Sequence, residues 1–193
     1  MKTLIKEFLF ILFALLAAPF SLLYFLLTLV INKNDSIAFF SQLLSLLPGK
    51  IGAYFRAGFY RFTLKHCSKD AVISFATLFS QQNTSIASGV YIGPQCNIGM
   101  CSIGENVLLG SGVHVMSGAK QHNFDAVDVP IRNQGGTYEK VTIGKNSWVG
   151  NGALIMADIG ENCVVAAGSV VIKPVANNAI VAGNPAKVIK TRQ

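Results

Sequence analysis

The feature that most constrains the fold is a period of six residues. Aliphatic residues recur at steps of six, with one step of five and one of four, at Ile86, Ile92, Ile98, Ile103, Leu109 and Val115, and then at Ile143, Val149, Ile155, Ile159, Val165 and Val171. A glycine or alanine usually follows each of them, and the fourth residue after each is small or β-branched. A hexapeptide period predicts a parallel β-helix, in which three hexapeptides make one triangular coil.

The pattern also assigns positions to the cysteines. Cys96 and Cys163 occupy the fourth position after an aliphatic residue, so we expect them to be small interior fillers. Cys101 falls at the five-residue step, where the repeat does not fix its direction. The four cysteines form no CxxC pair, which argues against a zinc knuckle and is consistent with a reduced, cytosol-facing protein.

Residues 8–32 contain no charged side chain, and this apolar segment is long enough to cross a bilayer, which takes about 20 residues. A cleaved signal peptide fits less well, because the run exceeds a normal apolar core and continues beyond Pro19. Pro19 permits either one kinked span or a re-entrant hairpin, and the sequence does not decide between them.

The charge is uneven along the chain. Residues 1–70 carry eight Lys and Arg against three Asp and Glu, a net charge of +5, and residues 71–193 carry a net charge of +2. Positive charge beside the most apolar segment favours an anionic membrane surface over nucleic acid as a partner. More basic residues follow the apolar segment than precede it, which predicts that the body lies on the cytoplasmic side of a bacterial inner membrane.

Residues 37–65 are predicted to form two interfacial helices, separated at Pro48–Gly49. In the second helix Phe55, Phe59 and Phe62 form an aromatic stripe, flanked by Arg56 and Lys65, whose charges would point outward to lipid headgroups. The alternative is that this stripe packs against the body. The predicted organisation is a membrane-associated helical region over 1–70 and a repeat domain over 71–193, with an extruded loop over 117–140 and a C-terminal tail over 181–193 that runs along the outside.

Four segments carry a resemblance to a known family: QHNFD within the loop, IGKNSWVGNGA, VVAAGSVVIKPV and AGNPAKVIK. Together with the hexapeptide repeats they resemble the bacterial left-handed β-helix acyltransferases, in particular the sugar and polysaccharide O-acetyltransferases. The resemblance implies a left-handed parallel β-helix, acetyl-CoA as acyl donor, a homotrimer and an active site in the cleft between neighbouring subunits.

The resemblance assigns catalysis to His122, which would act as a general base on a hydroxyl group. Histidine is the side chain best suited to general-base catalysis near neutral pH. Asp125 would orient the imidazole or bind the acceptor, although a turn aspartate is an equally good interpretation. His114 is a rival base, but its outward position in the repeat favours a surface or interface histidine, and no motif supports His66.

The resemblance also implies a cofactor site. Backbone groups of Asn151, Ala167 and Ile172 would bind the pantetheine arm. The side chains of Lys173, Lys187 and Lys190 would attract the nucleotide phosphates. Trp148 would wall the thioester channel, and an aromatic residue at a subunit interface is an equally good interpretation. The acid that binds the acceptor in the resembling enzymes is missing here, where Asn97 stands in the corresponding region. Asn97 and Arg132 are therefore the candidate acceptor-binding residues.

These observations favour a membrane-associated, acetyl-CoA-dependent acyltransferase. The expected reaction is O-acetylation of a sugar hydroxyl during surface polysaccharide or lipid-linked glycan synthesis. N-acylation of an amino sugar and a non-catalytic membrane-tethered scaffold stay open as alternatives. A zinc-dependent carbonic anhydrase needs three histidine ligands, and only His114 and His122 lie in the repeat domain, so no metal site is predicted.

Overall fold

The computed structural model of the protein describes residues 2–193, in which helices precede a solenoid of short parallel strands. Three α-helices lie within these described residues: α1 (Lys2–Leu27), α2 (Lys33–Ser45) and α3 (Gly49–Thr63). α1 continues through Pro19 without a break, so a hairpin at that residue does not form. A single 3-10 turn, Ile131–Asn133, lies in the loop that interrupts the repeats.

The strands form three sheets, one on each face of a triangular solenoid. Sheet A contains β1 (His66–Cys67), β4 (Ser85–Ile86), β7 (Cys101–Ile103) and β10 (Val141–Ile143). Sheet B contains β2 (Val72–Ile73), β5 (Tyr91–Ile92), β8 (Leu108–Leu109), β11 (Trp148–Val149), β13 (Val164–Val165), β15 (Ala179–Gly183) and β16 (Ala186–Thr191). Sheet C contains β3 (Leu78–Phe79), β6 (Asn97–Ile98), β9 (His114–Val115), β12 (Leu154–Ile155) and β14 (Val170–Val171).

The aliphatic residues of the six-residue period fill the interior of the solenoid. All of those from Ile86 to Val171 have an exposure of 2% or less. They stack in register from coil to coil, as where Val149 lies between Leu109 and Val165. The predicted left-handed parallel β-helix preceded by helices is therefore confirmed.

Two residues that the repeat places in the interior, Ser102 and Ala119, are not buried, and both lie where the repeat is irregular. Ala119 is exposed because the chain leaves the solenoid after β9. At the five-residue step Cys101 takes the interior position in place of Ser102, and it is fully buried. Cys96 and Cys163 are buried interior fillers, as predicted.

Asparagine occupies one corner of successive coils in a left-handed backbone conformation. Asn106, Asn146, Asn162 and Asn178 have φ between 56° and 63°. Asparagine tolerates this region better than most residues, and its amide can bond to neighbouring coils. The Asn146 Nδ2 group donates to Asn162 Oδ1 at 2.8 Å, which links two coils outside the strand ladders.

Helices α2 and α3 cover the first coil, whose outer backbone groups have no earlier coil to pair with. The Arg56 Nε group donates to the Ile73 carbonyl at 2.9 Å, and the Phe79 N–H donates to Ser41 Oγ at 2.7 Å. The Gln82 N–H donates to Asn34 Oδ1 at 2.9 Å. The helices thus end the sheets as a cap, which a solenoid requires because each coil is stable only between neighbours.

The prediction that Arg56 points outward is wrong. Its side chain is fully buried, and its NH1 group donates to the carbonyls of Leu44 and Leu47 at 3.1 and 2.7 Å. Phe59 is also fully buried and Phe55 packs edge-on against Phe20, whereas Phe62 is exposed. The aromatic stripe therefore packs largely against the body, because α3 lies between the first coil and α1.

The C-terminal tail closes the other end of sheet B. Strand β15 continues the parallel stack on β13, and β16 turns back and pairs antiparallel with β15. The tail is thus a strand of the sheet and not a segment along the outside of the solenoid, and it covers the last sheet B edge. The Arg192 N–H adds a bond to the Asn178 carbonyl at 2.7 Å.

Candidate active site on the loop ribbon

The loop that carries His122 leaves the solenoid after β9 and returns at β10. Its two arms are joined by backbone bonds from Glu139 N–H to the Ser117 carbonyl (2.9 Å) and from Thr137 N–H to the Lys120 carbonyl (2.7 Å). A third bond joins Asn123 N–H to the Gly135 carbonyl at 3.0 Å. These bonds make residues 117–140 a two-armed ribbon, which we call the loop ribbon.

Gln134 holds the tip of the loop ribbon together. Its Nε2 group donates to the carbonyls of Ala126 and Val129 at 2.7 and 2.8 Å, and its Oε1 accepts from the Ala126 N–H at 3.1 Å. Beside the tip, a Cβ atom on Gly136 would overlap the Gln121 carbonyl oxygen. The two arms therefore meet backbone to backbone at His122, and this close contact fixes the position of the His122 main chain.

The structure places His122 and Asp125 on the loop ribbon, both exposed to solvent. Arg132 lies at the tip, in the 3-10 turn, and is also exposed. Within residues 2–193, no hydrogen bond joins His122 to Asp125. Their roles as base and orienting residue stay predictions.

A groove of about 290 Å³ runs along sheet C from the helical cap to the base of the loop ribbon. It begins at Ala38 and Gln42 of α2 and ends at Gln121, next to His122. Asn97 and His114 lie on its floor, with Asn97 Nδ2 3.5 Å from His114 Nε2. The groove therefore joins the predicted acceptor residue Asn97 to the segment that carries His122.

The predicted cofactor residues Trp148, Lys187 and Lys190 lie on sheet B, a different face from the groove. Trp148 is half exposed. Across the neighbouring strands of sheet B it is in register with Val164, Val164 with Ile180, and Ile180 with Lys190. At about 4.8 Å per strand, Lys190 is roughly 14 Å from Trp148 along this row. Sheet B thus presents an exposed tryptophan and the lysines of the tail on one surface.

Asn151 and Ala167 occupy the corner between sheets B and C in adjacent coils. The Asn151 carbonyl accepts from Gly168 N–H at 2.8 Å, and Asn151 Oδ1 accepts from Ser111 N–H at 3.0 Å. Both acceptors already have a partner within the solenoid, whereas the Asn151 N–H donates to no other group among the described residues and is available to a ligand. Ile172 and Lys173 follow β14 and are exposed.

One chain therefore brings the predicted site residues together only in part. The groove and the loop ribbon gather Asn97 and His122, sheet B gathers Trp148 and the tail lysines, and the coil corners hold Asn151, Ala167, Ile172 and Lys173. No three His, Cys, Asp or Glu side chains within residues 2–193 are placed to hold a metal ion.

One feature of the groove and one at the base of the loop ribbon were not predicted from the sequence. The contribution of α2 through Ala38 and Gln42 depends on the packing of this helix against β3, which no sequence period indicates. Lys140, at the base of the loop ribbon, donates to Ser85 Oγ at 3.1 Å. Partial burial lowers the pKa of Lys140, and the nearby Lys65 lowers it further.

The architecture defines the class: a left-handed parallel β-helix with a loop inserted between its third and fourth coils. Solved structures with this fold include a maltose O-acetyltransferase from Clostridium difficile 630, with a TM-score of 0.59 and 24% identity over 84% of this chain and 90% of that chain. They also include a point mutant of AntD, an N-acyltransferase from Bacillus cereus in complex with dTDP-4-amino-4,6-dideoxyglucose and coenzyme A, with a TM-score of 0.55 and 18% identity over 64% of this chain and 70% of that chain. At these identities the likeness establishes the fold. No protein-family model and no curated protein sequence matches this chain.

Proposed function

We propose that this protein is an acyltransferase that moves an acetyl group from acetyl-CoA to a sugar hydroxyl. The observation that carries the proposal is an exposed histidine, His122, on an ordered ribbon that interrupts a β-helix shared with sugar O- and N-acyltransferases. A rigid support is what a general base requires, because small displacements of a catalytic group lower the rate steeply.

In the proposed reaction His122 accepts the proton of the acceptor hydroxyl while the oxygen attacks the thioester carbonyl carbon. A tetrahedral intermediate forms, and backbone N–H groups stabilise its oxyanion. The carbon–sulfur bond then breaks, and the CoA thiolate takes the proton from the His122 imidazolium. The products are the O-acetyl sugar and CoA, and His122 returns to its neutral form.

We further propose that the site is completed in a homotrimer. The loop ribbon and groove of one chain lie on a different face from Trp148, Lys187 and Lys190, which are the proposed walls and phosphate contacts of the cofactor channel. A neighbouring chain would bring its sheet B surface to the groove, so that acceptor and acetyl-CoA meet between subunits. Lysines act there as point charges for the nucleotide phosphates.

The proposed acceptor is a sugar of a surface polysaccharide or a lipid-linked glycan, met at the cytoplasmic face of a bacterial inner membrane. One helical segment among the described residues, Leu4–Leu27, is long and apolar enough to cross a membrane, a criterion that rests on length and composition alone. The groove opens next to α2 of the cap, so a glycan held near the membrane would enter at that end. These two features support membrane association and a lipid-linked acceptor.

The test measures release of CoA thiol from acetyl-CoA in the presence of a glycan extract. We expect the His122→Ala variant to lose roughly 10²- to 10⁴-fold in rate, the usual contribution of a general base. The matched control is His66→Ala, an exposed histidine on sheet A that should keep wild-type activity. Full activity in His122→Ala would contradict the mechanism, and the failure of wild type to bind any acyl-CoA would favour the scaffold alternative.

N-acylation of an amino sugar is the second candidate, favoured by the similarity to an N-acyltransferase. The chemistry of the product separates the two. Mild alkali hydrolyses an O-acetyl ester and leaves an amide intact, so mass spectrometry of the acetylated glycan before and after alkali treatment identifies the acceptor atom.

A further inference from the structure

Helix α1 buries a single narrow stripe along most of its length. The buried residues are Phe10, Ala14, Ala17, Ser21 and Tyr24, which follow steps of four and three and so lie on one side of the helix. This stripe packs on α3 and on part of α2: Tyr24 meets both Phe40 and Phe59, at 6.1 Å between ring centroids.

The remaining circumference of α1 is apolar and exposed. Phe8, Leu15, Leu22 and Leu26 are between 55% and 67% exposed, and the residues of similar character are Leu4, Ile5, Ile11, Leu16, Leu23 and Phe25. A helix on the surface of a water-soluble protein carries polar residues at such positions. An apolar patch of this extent marks an interaction surface.

Contacts with the body extend from the first turns of α1 almost to its end. Lys69 Nζ is 2.6 Å from Glu7 Oε2, which attaches the beginning of α1 to the first coil. In the middle, Gly58 of α3 lies so close that a Cβ atom there would be 2.7 Å from the Phe13 carbonyl oxygen. Tyr24, at the far contact, is followed by only one further turn of helix before Leu27.

This attachment is incompatible with α1 standing across a bilayer. A span needs about 20 residues within the hydrocarbon core, about 30 Å thick. The layer beneath α1 is α3, of 15 residues and therefore about 22 Å long, and below it is the polar first coil. If α1 crossed the membrane, α3 and the first coil would enter the hydrocarbon with exposed charges at Lys50, Arg61 and Lys65.

We propose that α1 lies in the plane of one membrane leaflet, with its exposed apolar face in the acyl-chain region and its buried stripe on the cap. The proposal rests on the membrane association proposed above and adds its topology: both ends of α1 and the β-helix are on the same side. The exposed Lys6 in the first turns of α1 and the exposed Lys33 just after it place positive charge at both ends of the helix, where it can bind anionic lipid headgroups.

This topology directs the cap end of the sheet C groove toward the lipid. Ala38 and Gln42 of α2 begin the groove, and Gln121 ends it three coils further along. A glycan attached to a lipid carrier would therefore enter from the membrane side and extend toward His122. A soluble acceptor would need no such orientation.

The test uses full-length protein in membranes of a bacterial expression host and three single substitutions: Lys6→Cys before the buried stripe, Asp35→Cys after α1, and Lys145→Cys on the β-helix. The four native cysteines are buried, so they contribute little labelling. We expect a membrane-impermeant maleimide to label all three variants in inverted vesicles and none in intact spheroplasts. Labelling of Lys6→Cys from the side opposite to the other two would overturn the in-plane topology and leave membrane association standing.

A measurement of the depth of α1 in the bilayer tests whether lipid or a second copy of the chain covers its apolar face. A fluorophore on Leu15→Cys should be quenched by lipids brominated near the headgroup, about 5–10 Å deep, more than by lipids brominated at the chain end. Stronger quenching from the chain end would indicate a span, and no quenching from either lipid would indicate that protein covers the face. Recovery of the wild-type protein in the soluble fraction would overturn this proposal together with the proposed membrane association.

Discussion

Replacing Arg56 with methionine tests whether the helical cap completes the solenoid. Methionine keeps most of the apolar stem of the side chain and removes the guanidinium, which donates to the carbonyls of Ile73, Leu44 and Leu47. Burial lowers the pKa of Arg56, but arginine side chains stay protonated in proteins at neutral pH. The change therefore removes a buried cation together with three hydrogen bonds.

The magnitude follows from the acceptors that lose their donor. The Leu44 carbonyl also accepts from the Leu47 N–H at 3.3 Å, so the carbonyls of Ile73 and Leu47 are the ones most affected. An unsatisfied buried acceptor costs about 1–3 kcal/mol. Part of this cost is offset because methionine needs no desolvation of a charge. We expect the Arg56→Met variant to lose about 2–4 kcal/mol of unfolding free energy, within the range of these two effects.

The assay is urea denaturation in detergent, followed by circular dichroism. Arg61→Met is the matched control, because Arg61 is on the same helix but exposed, and surface substitutions change stability by about 0.5 kcal/mol or less. Equal stability of the Arg56→Met and Arg61→Met variants would refute the argument that Arg56 completes the outer edge of the first coil.

Three other predictions concern a carboxylate, the thiols and the loop ribbon. Partial burial opposes ionisation of Asp70, but hydrogen bonds from Ser68, Ser88 and the Gly89 N–H lower its pKa overall. Asp70 therefore stabilises the fold at pH values above its unfolded pKa of about 3.9. This contribution is lost as the pH falls through the lower folded pKa. The stability difference between wild type and Asp70→Asn should therefore be larger at pH 7 than at pH 3, and a difference independent of pH would contradict this. Burial raises the pKa of the Cys67 and Cys101 thiols to about 12. Mass spectrometry should therefore find both thiols unmodified after treatment of the folded protein with N-ethylmaleimide at pH 8, and modified after unfolding. Rapid labelling of the folded protein would count against a buried position. The Gly136→Val substitution should displace the arm of the loop ribbon that carries His122, because a side chain at 136 would overlap the Gln121 carbonyl. We expect the rate of CoA release to fall about 10²-fold, as it does when catalytic groups are misplaced, with little change in circular dichroism. Full activity would show that the close contact between Gly136 and Gln121 is not needed.

The β-helix could be predicted because its period repeats and each coil depends only on its neighbours. An interior aliphatic residue every six positions is a local rule, and all the positions from Ile86 to Val171 obey it in the structure. The predicted repeat domain begins at residue 71, but the period is recognised only from Ile86, although Cys67, Ile73 and Phe79 of the first coil keep the same spacing and are buried. Their unlike side chains hide the period.

The cap could not be predicted, because it depends on contacts between distant parts of the chain. The sequence around Arg56 is typical of an interfacial helix, and only the position of α3 over the first coil turns that cation inward. The candidate site has the same difficulty. The motif segments indicate His122 and the tail lysines, but one chain leaves them on different faces. The proposed site therefore requires contacts between subunits, which no spacing encodes.

The loop ribbon raises the entropic cost of chain closure at only one interface between coils, that of the third and fourth coils. Facing residues of the third and fourth coils are 40 positions apart, as Ser111 and Asn151 are, whereas Ser147 and Cys163 in the next pair of coils are 16 apart. Closing the longer segment costs about 0.8 kcal/mol more, since the penalty grows only with the logarithm of length. Doubling the inserted segment would lengthen this closure from 40 to about 64 residues and add about 0.4 kcal/mol, so the length and side chains of this part could diverge between relatives while the stack of coils stays intact.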